Sequence, residues 1–138
     1  MNLSEIIQPG LSKEETFVVD ERHLAQHLGS GSLRVLATPS MIALMEHEAH
    51  LLLEQRLPKG YSSVGTLVNV RHLAPTPLGS RFRVRVEVIR VEENRISFHV
   101  QAWDEKEQIG DGEHQRVVID YARFLRRVAS KNPEQTQT

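Results

Sequence analysis

A carboxylate, an imidazole and a hydroxyl stand out along this chain. Glu46 falls at the edge of an apolar helical stripe, about 70° from its centre by the 3.6-residue geometry of an α-helix. A carboxylate held there can attack an electrophile or take a proton from water, whereas the plainer role is a flanking residue with its head in solvent. His72 sits with Val68 and Val70 on what reads as the apolar face of a strand. An imidazole there serves either as a hydrogen-bonded core group or as an acid or base near neutral pH. Thr38 precedes Pro39, so its hydroxyl suits a helix N-cap as well as a place in catalysis.

Other constellations are weaker. Glu46-His47-Glu48-Ala49-His50 resembles a metalloprotease helix, but that chemistry needs histidines four apart and His47 and His50 are three apart. No metal site and no cofactor is expected. Arg81, Arg83 and Arg85 alternate with valines as any half-exposed strand would, and a phosphate-binding stripe is the less economical reading. There is no Gly-rich phosphate loop and no G-x-S-x-G elbow, which removes support for nucleotide hydrolysis and α/β-hydrolase chemistry.

The 138 residues suit one domain, with 39% hydrophobic and 25% charged residues. Seventeen Lys and Arg balance eighteen Asp and Glu, a net charge of -1, so nucleic acid and anionic membranes are not expected partners. With no cysteine there is neither a disulfide nor a thiolate site. No basic segment leads into a long apolar run, so neither a signal peptide nor a membrane span is read, and a cytoplasmic location is the expectation.

The elements that must position these groups follow from periodicity. Residues 1–13 carry Pro9 and Gly10 without a period and read as a flexible arm. Thr16 to Val19 suggests an edge strand, Asp20 caps a short helix through Leu28, and Gly29-Ser30-Gly31-Ser32 reads as a mobile lid. A long helix starts at Thr38 as N-cap with Pro39 first in the helix. It carries Met41, Ile42, Met45, Ala49, Leu52 and Leu53 on one stripe and stops before Pro58 and Gly60. In the next segment Val64, Thr66, Val68, Val70 and His72 share one strand face, opposite Gly65, Leu67, Asn69 and Arg71. Strands over 81–92, from Ile96 to Ala102 and over 107–120 follow with short polar connections, and the phase slips at Val88-Ile89 as at a bulge. Tyr121 to Val128 extends the last strand or forms a terminal helix, and 129–138 reads as a disordered tail. Short links favour antiparallel neighbours, and one amphipathic helix needs the inner face of that sheet, giving an α+β fold with an exposed edge that invites a second copy.

Four stretches together, VLATPSMIALMEHEA from Val35, SSVGTLVNVRHLAPTPLG from Ser62, the strand pair after it, and IGDGEHQRVVID from Ile109, resemble the fluoroacetyl-CoA thioesterase-like branch of the hotdog superfamily. The resemblance implies a hotdog domain over 14–128, a long helix wrapped by antiparallel sheet, paired as a homodimer or higher homo-oligomer. It implies an acyl-CoA thioesterase for a short or small acyl group, with Thr38, Glu46 and His72 catalytic, Gly65 offering its amide to the thioester and Arg116 lining the acyl pocket. Glu46 would be nucleophile or base, and His72 the proton carrier. A non-catalytic acyl-CoA binding module is the alternative, and hydratase chemistry a more distant one. Fluoroacetyl-specific members close the acyl pocket with aromatics ahead of the helix. Residues 21–35 contain none, which implies a more open lid here.

Overall fold

The computed structural model describes residues 1–133, and its long helix supports the site. Helix α3 (Thr38–Glu54) buries Met41, Met45, Ala49, Leu52 and Leu53, the stripe expected from spacing except for Ile42, which is half-buried. Full burial of such side chains contributes about 1.5–3 kcal/mol each. Their partner is one five-stranded antiparallel sheet in the order β1-β3-β4-β5-β2, built from β1 (Ser12–Val18), β2 (Tyr61–His72), β3 (Arg81–Glu92), β4 (Arg95–Asp104) and β5 (Gln108–Asp120). Phe82, Val84, Val86 and Val88 on β3 and Ile96, Phe98, Val100 and Ala102 on β4 close the core. The expected slip in β3 is a register shift between Val88 and Arg90. Helix and sheet approach closely at Gly110, where an added Cβ would lie 2.7 Å from the Met41 sulfur.

Several expectations change. Residues 1–13 do not form a loose arm: α1 (Leu3–Ile6) makes one helical turn, Leu3 and Ile7 are buried in the core, and β1 already begins at Ser12. Lys13 Nζ donates to Glu48 Oε1 at 2.6 Å, tying the start of β1 to the buried side of α3. Asp20 caps a 3-10 turn, Glu21–His23, rather than a continuous helix, and α2 (Ala25–Leu28) follows separately. Residues 121–129 settle as α4 (Tyr121–Ala129), with Asp120 Oδ1 accepting from the Arg123 amide. Ala129, the first residue of the expected tail, ends this helix, and half of that tail, 134–138, lies outside the described residues.

The largest correction concerns β2. Its pairing with β5 shifts between Gly65 and Leu67, a bulge that adds one residue to β2. Ser63 and Gly65 before it, and Val68, Val70 and His72 after it, lie in register with inward positions of β5, so Val64 and Thr66 fall on the opposite face from His72. Unbroken alternation would have put Gly65 and His72 on opposite faces. The bulge brings both to the face that looks at α3.

Candidate active site

Thr38 and His72 meet at the start of α3. Ala37 is the N-cap, Thr38 is the first helical residue, and no side chain caps the helix. The expected capping role is therefore replaced by another: Thr38 Oγ1 lies 2.7 Å from His72 Nδ1. The other ring nitrogen, Nε2, is buried without a partner. Burial lowers the His72 pKa below its ordinary 6.5, opposed by the Ala74 backbone, so the ring is neutral at pH 7. Beside this pair opens a cavity of about 430 Å³ whose lining includes Ala25, Val35, Leu73 and Pro75. No Phe, Tyr or Trp of the described residues lines it.

A second cluster lies further along the helix. Thr38 and Glu46 are separated by about 12 Å of helix axis at 1.5 Å per residue. The Glu46 side chain projects over Gly65, where an added Cβ would lie 3.2 Å from Oε2, 3.2 Å from His114 Cε1 and 3.5 Å from Arg116 Nη1. A larger residue here would crowd these side chains, a matter of close approach and not of an unusual backbone angle. Arg116 is buried and fixed: Nε donates to Ser63 Oγ (2.8 Å), Nη2 to the Ser63 carbonyl (3.1 Å) and Nη1 to His114 Nε2 (3.1 Å). Its burial lowers its pKa below the ordinary guanidinium value, opposed by the charges of Glu46 and Glu54. A carboxylate, a guanidinium and a small backbone residue thus converge on one point, an arrangement able to bind and polarise a carbonyl.

The structure therefore brings Glu46, Gly65 and Arg116 together, and separately Thr38 and His72. His114 and Ser63, which sequence reasoning missed, hold Arg116 in place. Their only signal was register: His114, Arg116 and Val118 alternate on β5. Of Arg81, Arg83 and Arg85 on β3, Arg83 pairs with Glu14 and stacks over Trp103, and Arg85 pairs with Glu87. Among the described residues no group of three or more metal-ligating side chains gathers, and no helix is long and apolar enough to cross a membrane.

The lowered pKa values of His72 and His114 carry a stability consequence. Each unfolded imidazole takes a proton near pH 6.5, while the folded ones resist it, so their contribution is complete above 6.5 and is lost as pH falls below it. The melting temperature is expected to drop between pH 7.5 and 5.5, with a shallower drop in His72→Asn. Equal slopes in calorimetric scans would contradict this.

Comparison with known proteins gives consistent matches. Residues 19–122 match the family described as fluoroacetyl-CoA-specific thioesterase. The fluoroacetyl-CoA thioesterase of Streptantibioticus cattleyicolor is 36% identical over 123 residues, covering 85% of this chain and 88% of that one. A crystal structure of a variant of the thioesterase FlK in complex with fluoroacetate and CoA superposes with a TM-score of 0.81 at 33% identity, covering 86% of this chain and 99% of that one. A hot-dog-like protein from Thermanaerovibrio acidaminovorans reaches 0.90 at 26% identity over 96% and 98% of the two chains.

Proposed function

The chain belongs to the fluoroacetyl-CoA-specific thioesterase family and has the hotdog fold, and on that footing we propose that it hydrolyses the thioester of a small acyl-CoA to the free acid and CoA. The observation that carries this reading is the convergence of Glu46 and Arg116 over Gly65. A thioester carbonyl seated there has the Glu46 carboxylate to attack it or to draw a proton from an attacking water. The Arg116 guanidinium and the Gly65 amide stabilise the charge that develops on its oxygen. The C–S bond then breaks, and the thiolate takes a proton that originates from water and passes through an imidazole, which is neutral before and after the transfer.

That imidazole is His72, supplied by a second copy. β2 is an edge strand with Leu67 and Val68 exposed, and Leu73 is exposed just beyond its end. An edge of this length invites pairing. Two β2 edges paired antiparallel bring the Gly65 part of one strand toward the His72 end of the other. Along a single β2, Gly65 and His72 are matched to Arg116 and Gly110, six steps apart on β5 and about 20 Å, too far for one chain to unite the two clusters. The homodimer accordingly forms two sites, each taking Thr38 and His72 from one copy and Glu46, Gly65 and Arg116 from the other. His72 Nε2, which has no partner within one chain, is the ring nitrogen left to serve the leaving sulfur.

A thiol-release assay over acyl-CoAs from acetyl and fluoroacetyl to medium chain tests the reading. Turnover of short acyl groups is expected. Because no Phe, Tyr or Trp of the described residues lines the cavity beside Thr38, acyl groups larger than fluoroacetyl should also be accepted. Tight binding of CoA esters without turnover of any would overturn hydrolysis in favour of a binding module.

A further inference from the structure

His114 is the most constrained imidazole among the described residues. It is 1% exposed, stacked at 25° on Phe98 from β4 with ring centroids 6.3 Å apart. Its Nδ1 lies 2.8 Å from the Leu67 carbonyl, which can only accept, so Nδ1 carries a hydrogen. Its Nε2 lies 3.1 Å from Arg116 Nη1, which can only donate, so Nε2 carries none. Both neighbours impose one neutral tautomer. The two bonds also reach the two halves of the site. Leu67 closes the β2 bulge that presents Gly65, and Arg116 Nη1 is the guanidinium nitrogen that approaches Gly65.

Resting on the thioesterase reading, we infer that His114 is a positioning residue for the reaction: its donated bond fixes the bulge that presents Gly65, and its accepted bond aims Arg116 at the same point. The groups facing the ring are Arg116 on its own strand, Glu46 from α3, the Leu67 carbonyl from β2 and the uncharged Phe98 from β4. Burial and the Arg116 charge oppose a second ring proton; the Leu67 carbonyl and Glu46 work the other way. If the ring takes one, an N–H points at an N–H and the Arg116 bond is broken. Protonation of His114 in acid therefore disconnects the guanidinium.

Two substitutions separate positioning from packing. His114→Phe keeps the ring stack but loses both bonds. His114→Gln offers an amide N–H and an oxygen at a spacing close to that of the two ring nitrogens, and it does not titrate. Using the full-length protein and an acyl-CoA turned over by wild type, kcat for His114→Phe is expected to fall about 10²-fold, the scale set by loss of one oriented oxyanion-stabilising group, with a smaller change in KM. His114→Gln should retain activity within about tenfold at pH 7.5 and lose less of it at pH 5.5 than wild type does. Wild-type kcat in His114→Phe overturns the inference, and so does a Gln variant as impaired as the Phe variant or with an unchanged acid limb. If His114→Phe does not fold, the pH profile of His114→Gln decides alone. Absence of turnover in wild type, by contrast, would count against the thioesterase reading.

Discussion

Glu46→Gln is expected to lower kcat at least about 10²-fold while leaving the melting temperature nearly unchanged. The two side chains have the same shape, and Glu46 is only partly buried, so the fold loses little. What disappears is the negative charge over Gly65. An amide neither attacks a thioester nor takes a proton from water, so both routes open to the carboxylate close together. Stopped assays with thiol detection, run beside calorimetry on the same preparation, check the two halves of the expectation. Turnover at the wild-type rate in a pure preparation of Glu46→Gln would remove Glu46 from the chemistry.

Mixing two inactive variants should restore activity. His72→Ala is expected to be severely impaired, as is Glu46→Gln, because in the proposed homodimer each removes one member from both sites. In a heterodimer of the two, one site receives His72 and Glu46 intact and the other receives neither. Random reassortment after mild unfolding makes about half the dimers mixed, each with one of two sites whole, so recovery near about a quarter of wild-type activity is expected. A site built within a single chain could give no recovery at all. The assay thus tests the distance between the Thr38–His72 pair and Glu46 more directly than any single substitution. Sedimentation equilibrium on the unmixed protein supplies the companion result, a dimer at micromolar concentration.

The α3 stripe is legible in the sequence because one helix face carries one kind of side chain, and Pro58 and Gly60 mark its end. The strand alternation over 81–102 is legible for the same reason. Thr38 reads as a cap since local sequence offers its hydroxyl no other partner. The competing partner, His72, arrives from a strand 34 positions later. Glu48 stays hidden because a charge on an apolar stripe reads as a boundary, and Lys13, which pairs with it, lies in a segment with no period. On β5 both faces mix polar and apolar residues, so nothing local says that His114 and Arg116 look inward rather than Glu113 and Gln115. The resemblance to a known family picks out Glu46, Gly65 and Arg116 as a set without any geometry, but it does not say what holds the arginine.

The extra residue in β2 makes the site depend on counting modulo two. Which wall of the sheet a side chain joins is decided by whether the number of residues before it is odd or even, and one insertion reverses the answer for everything downstream until the strand ends. A chain that lost Thr66 alone would pair without a bulge and, with Gly65 and His72 then six residues apart, would keep the imidazole on the helix side, whereas the present seven-step spacing without the bulge would turn it away. Spacing in this segment therefore has meaning only together with the pairing, and a count of the residues between Gly65 and His72 that ignores the bulge assigns the imidazole to the wrong wall.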